Sequence, residues 1–149
     1  MSNFKNTEIT IYNQKIDENS STKNVPLGTI IKAIDKADTD YGVGEFIYLK
    51  GVASTAIGSA VVYNSDDYST TLASANAIGP VAFAMAATVA NEYGWYQIGG
   101  KAVGKVAASF ADNADCYLTS TAGTIDDADV AGDYIRRCNN SFIRTFFFL

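Results

Sequence analysis

The residues that come closest to a catalytic motif form a glycine-rich stretch, residues 99–106. It reads G-G-K-A-V-G-K-V and contains the G-x-x-x-x-G-K core of a phosphate-binding loop. Such a loop needs Ser or Thr at the next position to hold Mg²⁺, and Val106 stands there. The loop must also open a helix, yet the chain turns again at Asp112-Asn113. We therefore assign these glycines to a hairpin and a strand bend, and we expect no nucleotide cofactor.

The acidic run at 126–133 has residue types that bind calcium. Counted from Asp127, Asp129 occupies position three of an EF-hand loop, but Ala131 stands at position five and Cys138 at position twelve. The bidentate glutamate is missing, which excludes an EF-hand and leaves a looser calcium site or a solvated acidic turn. The acidic turn is the interpretation we favour, so we predict no metal site.

The chain contains no histidine, which removes Ser-His-Asp triads, Cys-His pairs and most zinc sites together. Its two cysteines, Cys116 and Cys138, are expected to be free thiols that serve as small apolar residues. Without partners for a nucleophile or a metal, we predict no catalytic residues and no enzymatic activity.

Three aromatic residues, Tyr93, Trp95 and Tyr96, lie close together in one predicted strand. Aromatic rings of this kind can form a platform on which sugars stack, which would make the chain a carbohydrate-binding module. Alternating aromatic residues of a strand are more commonly part of a core or an interface.

Composition restricts the classes of partner. The chain has 149 residues, enough for one domain, and a formal net charge of −5. An acidic chain without a basic stripe repels nucleic acids and anionic membranes, so we expect neither as a partner. Charged residues make up only 18% of the chain, and such weakly charged surfaces suit packing against other proteins. The sequence suggests neither a signal peptide nor a transmembrane helix, so we expect synthesis in a cytoplasm.

Residues 1–27 are rich in Asn, Lys, Ser and Thr and are predicted to form an extended N-terminal arm. Short polar segments of this kind bury too little surface to order by themselves. The arm therefore either lies on another surface or stays disordered. Its apolar residues, the candidates for reaching a neighbouring protein, are Phe4, Ile9, Ile11 and Tyr12.

Residues 28–149 are predicted to form a single β domain. Short β-branched or aromatic runs alternate with turn residues at intervals of about eight to twelve positions, which indicates an antiparallel barrel or sandwich. Residues 45–50 carry large side chains on both faces, and residues 81–87 alternate large residues with alanine. A helix competes at 81–87 because alanine favours helices, but Pro80 and the strict alternation favour a strand. The Gly99-Gly100 pair predicts a hairpin between the strands 93–98 and 101–107.

The C-terminal strand carries consecutive large aromatic residues, which cannot all face one core because strand side chains alternate. Either both faces of this strand are covered within the subunit, or some rings are buried against another subunit. The candidates for such a subunit seam are Phe142, Phe146 and Phe148.

Three stretches of the chain resemble small virion structural proteins of marine and other tailed phages, described as head decoration or cement proteins. They are residues 41–55 (YGVGEFIYLKGVAST), 78–105 (IGPVAFAMAATVANEYGWYQIGGKAVGK) and 115–132 (DCYLTSTAGTIDDADVAG). The resemblance implies a β-rich domain without catalytic residues or cofactor. It also implies a symmetric homo-oligomer, often a trimer, that sits on the outer capsid surface and bridges major capsid (coat) proteins. The chain departs from the pattern after Arg137, where a longer tail is expected.

Two functions therefore stay open on the sequence. The first is capsid decoration, in which the arm reaches sideways and the C-terminal phenylalanines form a seam. The second is a virion-exposed carbohydrate-binding module for adhesion, which would use Tyr93, Trp95 and Tyr96.

Overall fold

A computed structural model describes residues 14–35, 41–111 and 114–135, together with the backbone of residues 4–6 and 143–148. Regular structure in these parts of the chain is entirely β-strand, which confirms the predicted all-β class. The strands, in chain order, are β1 Phe4–Asn6, β2 Asn19–Ser20, β3 Ile30–Asp35, β4 Val43–Lys50, β5 Ala60–Tyr63, β6 Thr70–Leu72, β7 Val81–Ala84, β8 Tyr93–Gly99, β9 Ala102–Val106, β10 Tyr117–Leu118, β11 Ile125–Asp126 and β12 Ile143–Phe148.

The strands form two sheets that pack on each other as a sandwich. The larger sheet has the order β1-β3-β4-β8-β7-β5-β6, and β2 pairs with β8 beside this path. The smaller sheet has the order β10-β11-β9-β12. Pairing is antiparallel throughout the larger sheet, whereas β9 runs parallel to both β11 and β12. The sandwich alternative of the predicted fold is therefore confirmed, and the barrel alternative is not, because the larger sheet does not close.

The central strands of the larger sheet are buried on both faces. In β4, Phe46 and Tyr48 belong to one apolar cluster, while Ile47 and Leu49 belong to another. These residues alternate because successive side chains of a strand point to opposite faces. In β7, Phe83 faces the smaller sheet and its alanine neighbours pack on the opposite face. The predicted strand at 81–87 is thus confirmed over 81–84, where β7 ends.

Three apolar layers result from this arrangement. The layer between the two sheets joins Val62 and Phe83 to Val106, Leu118 and Ile125. The layer inside the curl of the larger sheet holds Ile47, Leu49, Val61, Ala82, Ala84 and Tyr96. The larger sheet curls so strongly that the end of β4 reaches the start of β6. The amide of Lys50 donates to the carbonyl of Tyr68, just before β6, at 3.0 Å. The third layer covers the other face of β4 and β8 and includes Ile16, Val25 and Trp95.

Residues 14–27 belong to the β domain and not to a separate arm. Ile16 is 4% exposed and Val25 is 1% exposed, both against the outer face of the larger sheet. Strand β2 pairs with β8, and β1 pairs with β3, so even residues 4–6 lie on the chain's own sheet. The predicted boundary at residue 27 is therefore wrong. Residues 14–27 contain few apolar side chains, which led to the prediction of an arm. Those few pack on the sheet, and Gln14 adds hydrogen bonds to it.

The hairpin predicted at Gly99-Gly100 is also wrong. Strand β8 pairs with β4, β7 and β2, whereas β9 pairs with β11 and β12 in the other sheet. Gly100 has a φ of +81°, and a Cβ built there would lie 2.5 Å from the carbonyl oxygen of Val43. The side-chain amide of Gln97 donates to the carbonyls of Gly99 and Lys101, at 2.9 and 2.8 Å. The two glycines therefore allow a tight crossover between the sheets.

Candidate interaction surface

The glycine-rich stretch 99–106 has the backbone of a crossover and a strand. Residues 102–106 are β9, so no helix N-terminus stands behind Gly99 and Gly100 to bind a phosphate. Gly104 is buried between β12 and the loop at Gly58, whose carbonyl accepts from the Lys105 amide at 2.9 Å. The stretch therefore serves the packing of the two sheets.

Several carboxylates of the acidic run accept hydrogen bonds from backbone amides. Asp127 accepts from the amide of Ala111 at 2.9 Å, and Asp126 accepts from the amide of Asp127 at 2.9 Å. Asp133 is 2% exposed and accepts a hydrogen bond from the amide of Asn76. Within the described ranges, no three acidic or cysteine side chains converge as metal ligands would.

The three aromatic residues of the proposed sugar platform do not share an exposed face. Trp95 is 1% exposed and Tyr96 is 0% exposed, and they belong to apolar layers on opposite sides of the larger sheet. Tyr93 is half-buried and stacks near Tyr48, with ring centroids 6.5 Å apart. A sugar needs an exposed ring face, so the predicted platform is wrong for Trp95 and Tyr96, which are core residues.

Cys116 is 2% exposed and disulfide-bonded, which corrects the prediction of a free thiol. The one other cysteine in the sequence, Cys138, lies outside the described residues. The prediction of a free thiol rested on the reducing conditions of a cytoplasm. The spacing of two cysteines in a sequence does not show whether they are bonded to each other. Disulfides form and persist mainly in oxidising surroundings.

The predicted arm and seam residues fall mostly outside what the structure describes. Ile9, Ile11, Tyr12 and Phe142 are not among the described residues. The backbone of Phe4 pairs with that of Asp35 in β3, and the backbones of Phe146 and Phe148 pair with Gly104 and Val106 in β9. Both the reaching arm and the aromatic seam therefore stay predictions.

An N-terminal clasp, formed by Gln14 and its hydrogen-bond partners, attaches residues 14–25 to the sheet. Gln14 is 8% exposed, and its side-chain NH₂ donates to the carbonyls of Glu18 and Tyr93, at 3.0 and 2.8 Å. Its side-chain oxygen accepts from the hydroxyl of Tyr48 at 2.5 Å and from Asn24 at 3.2 Å. Its backbone carbonyl accepts from the indole of Trp95 at 3.3 Å. Tyr48 and Trp95 thus serve as anchors for the N-terminal segment.

The most exposed large apolar side chain described is Ile78, at 96%. It stands on a loop that is held at both ends: the amide of Ala75 donates to Thr119 at 2.8 Å, and the amide of Tyr63 donates to Pro80 at 3.1 Å. The buried Asp133 carboxylate holds the amide of Asn76 between them. Fully burying an isoleucine stabilises a contact by roughly 1.5–3 kcal/mol. A loop that is held by hydrogen bonds and presents Ile78 to solvent therefore has the character of a protein-binding feature.

Beside Ile78 lies a concave region of about 550 Å³, which we term the apolar groove. One wall comes from the larger sheet, the other from the segment around Leu118 and residues 132–135, and the loop of Ile78 forms the rim. The groove is lined by Tyr63, Ala77, Ile78, Gly79, Pro80, Val81, Phe83, Ile98, Leu118, Gly132, Tyr134 and Ile135. On the other side of the same loop is a second cavity of about 410 Å³, the polar cleft, lined partly by Asn64, Ser65, Ser69 and Thr71.

Acidic and aromatic side chains stand at one end of the apolar groove. The rings of Tyr134 and Tyr117 are in contact, with centroids 5.6 Å apart. Desolvation raises the pKa of Tyr117 above its ordinary value, and the nearby carboxylates of Asp129 and Asp115 raise that pKa further. Both carboxylates are therefore close to this aromatic pair, and both residues are exposed.

Sequence reasoning missed this surface. Ile78 precedes a Gly-Pro pair, so the sequence marks a turn there, and an isoleucine in a turn is an unusual apolar residue at the surface. The walls of the groove come from five separated parts of the chain, which only folding brings together.

No helix that could cross a membrane occurs in the part of the chain that the structure describes. In comparisons with known proteins, no family model matches the chain, and neither a curated protein nor a solved structure does so.

Proposed function

We propose that this chain is a non-enzymatic structural protein of a tailed-phage particle, which decorates the outer surface of the head and stabilises the shell by bridging coat subunits. The observation that carries the proposal is the hydrogen-bonded loop that presents Ile78, 96% exposed, between the apolar groove and the polar cleft. An exposed apolar side chain held over a concave apolar surface is typical of a site for another protein. The phage head as the partner comes from the sequence resemblance.

In the proposed mechanism, many copies of the chain act together. Each contact with the shell is weak, but symmetric copies and a high effective concentration on the shell add up to strong retention. A homo-oligomer, in the form of a trimer, would place several grooves around one seam between coat subunits. The disulfide at Cys116 also fits a protein that works after the particle has left the reducing cytoplasm.

Cryo-electron microscopy of expanded heads tests the proposal. Heads of the phage that encodes the chain, assembled without it, are mixed with the purified protein and imaged. We expect ordered density at symmetry-related sites on the outer surface, with the Ile78 loop facing the shell. Bare heads at saturating protein would contradict decoration. Selective binding on a glycan array would then favour adhesion, through a surface other than Trp95 and Tyr96.

The role of the N-terminus needs a truncation that the fold tolerates. Deleting residues 1–25 would remove Gln14, Ile16 and Val25, which hold the outer face of the larger sheet. Deleting residues 1–13 removes β1, an edge strand of the larger sheet, but leaves the N-terminal clasp in place. If the arm reaches a neighbour, this shorter deletion should leave a folded domain with reduced occupancy on heads, and unchanged occupancy would remove the arm from the mechanism.

A further inference from the structure

We propose that the apolar groove binds an apolar segment flanked by Lys or Arg, supplied by the head protein on which the chain sits. The chemistry of this segment is argued from the groove itself, and its source rests on the proposed function. The argument uses three properties of the surface: its apolar lining, the charge at its rim and its unsuitability for a second copy of the chain.

The lining of the apolar groove favours a partner segment with apolar side chains. No residue that lines the apolar groove is charged, and its floor is formed by Phe83, Leu118 and Ile135, which are between 1% and 6% exposed. Its volume of about 550 Å³ lies within the range of roughly 300–1,000 Å³ that is common for ligand sites. Ile78 and Tyr134 are both exposed and line the groove, so an inserted apolar side chain would contact them. An apolar partner segment would therefore be covered from both walls.

The carboxylates at the rim of the apolar groove favour a partner segment with positive charge. Tyr134 lines the apolar groove, and Tyr117 forms an antiparallel bridge and a ring contact with it. The exposed Asp115, two residues before Tyr117, and the exposed Asp129 therefore lie near one end of the groove. Asp66 is exposed in the turn that follows Ser65, on the side of the polar cleft. Carboxylates on both sides of an apolar centre attract a segment with cationic ends and repel one with anionic ends. The net charge of −5 acts in the same direction.

A second copy of the chain is a poor occupant. A two-fold dimer through this surface would bring the same patch of each copy together, because such interfaces are self-complementary in position. Because carboxylates stand on both sides of the apolar centre, Asp115 and Asp129 of one copy would then approach Asp66 or the same two residues of the other copy. Like charges opposed in this way disfavour association, so the groove suits a foreign, basic segment.

A titration of the ¹⁵N-labelled full chain with two synthetic peptides tests this chemistry. The first is Lys-Lys-Val-Leu-Val-Leu-Lys-Lys, and the matched control is Glu-Glu-Val-Leu-Val-Leu-Glu-Glu, both with blocked ends. We expect the lysine peptide to shift the amide signals of Ile78, Val81, Ile98 and Tyr134 with a Kd of roughly 1 mM. The glutamate peptide should bind at least roughly tenfold more weakly. Equal binding of both peptides, or no shift at these amides at about 5 mM, would overturn the proposal.

Variants separate the apolar and the charged contributions. Ile78→Asp should weaken binding of the lysine peptide at least roughly fivefold, because it removes the exposed apolar contact. The matched control is Val89→Asp, at an exposed valine that lines neither cavity. Asp115→Asn with Asp129→Asn should weaken binding roughly fivefold, whereas Asp17→Asn with Glu18→Gln, which changes net charge by the same amount, should not. Equal losses in a variant and its control would contradict a specific site.

Head binding distinguishes this proposal from the proposed function. If wild-type protein decorates heads and Ile78→Asp does so equally well, decoration stands and the groove is not the contact. If the lysine peptide binds the groove but heads stay bare, the groove chemistry stands and decoration falls. Self-association in analytical ultracentrifugation that Ile78→Asp abolishes would replace the basic segment by a second copy of the chain.

Discussion

The hydroxyl of Tyr48 donates a hydrogen bond of 2.5 Å to the side-chain oxygen of Gln14, across 34 positions of the sequence. Tyr48 is 0% exposed and lies edge-on to Trp95, with ring centroids 5.1 Å apart. Through this contact, a polar segment before β3 becomes part of the core. The first prediction follows from it.

Replacing Gln14 with Leu should lower the free energy of unfolding by about 1–3 kcal/mol. The change leaves the Tyr48 hydroxyl and the carbonyl of Tyr93 without their partner in a buried setting. Urea unfolding followed by tryptophan fluorescence measures the effect, because Trp95 is the only tryptophan and contacts the N-terminal clasp. Lys15→Ala, at a side chain that is 76% exposed, is the control and should change stability by less than about 0.5 kcal/mol. A Gln14 effect as small as the control would show that the clasp does not hold the segment.

A second prediction concerns Gly28, which has a φ of +83° and lies against the ring of Tyr68. A Cβ built at Gly28 would stand 2.3 Å from Cζ of that ring, so Gly28→Ala should force the ring or the loop to move. Gly42 offers a matched control, with a φ of +60° and, its chain neighbours apart, no atom of a described residue within 4 Å of a built Cβ. Gly42→Ala should cost about 1 kcal/mol for backbone strain alone, and Gly28→Ala more than twice as much. Thermal unfolding of both variants checks this, and equal costs would refute the steric contribution.

A third prediction concerns the loop that presents Ile78. Asp133→Ala removes the buried acceptor of the Asn76 amide and should destabilise the chain by about 1–3 kcal/mol. The same change should speed hydrogen exchange at Asn76 because the loop loses an anchor. Asp133→Asn keeps an oxygen at this position and is the conservative control. If both variants exchange at the same rate as wild type, the loop is held by its backbone contacts alone.

A fourth prediction is that the fold weakens in strong alkali. Burial raises the pKa of Tyr96, although the hydroxyl of Thr88, 3.1 Å away, opposes the shift, and burial raises the pKa of Tyr48 as well. Below about pH 10, the ordinary pKa of tyrosine, both hydroxyls are neutral in the folded and in the unfolded chain. The contribution of the two buried tyrosines to stability is then complete. Above that pH the unfolded chain loses protons that the folded chain retains, so the free energy of unfolding should fall until the folded pKa is passed.

Urea unfolding at pH 8, 10 and 11 tests the alkaline prediction. Tyr96→Phe should make the free energy of unfolding fall less between pH 8 and pH 11. The free energy of unfolding of this variant at pH 8 measures separately the cost of losing the hydroxyl contact. A stability that stays constant up to pH 11 in the wild type would contradict the assignment.

The strand pattern was largely predictable because it depends on neighbours in the sequence. Alternation at 81–84 and large residues on both faces of 45–50 identify strands covered on two sides, as the structure has them. The turn at 64–67 follows from Asn64, which caps it by accepting from the amide of Asp66 at 2.8 Å. These are contacts within a few residues, and residue type alone specifies them.

Pairings between strands were harder to predict from the sequence, and the crossover at Gly100 shows why. A Gly-Gly pair between two strands is compatible with a hairpin and with a move to another sheet, since both need a positive φ. The choice depends on the close approach of Val43, 57 positions away in the sequence, which no local pattern encodes. The same holds for the candidate surface, whose walls belong to both sheets and to the loops between them.

The sequence by itself determined an all-β chain of short strands with an acidic, weakly charged surface and no histidine chemistry. These properties follow from residue types and from periods of two, which act over short distances. Only the tertiary structure decided that Trp95 and Tyr96 are core residues, that residues 14–27 belong to the domain and that Ile78 stands exposed beside a groove. Burial is a property of the whole packed chain, because a side chain is removed from water by residues that are distant in the sequence.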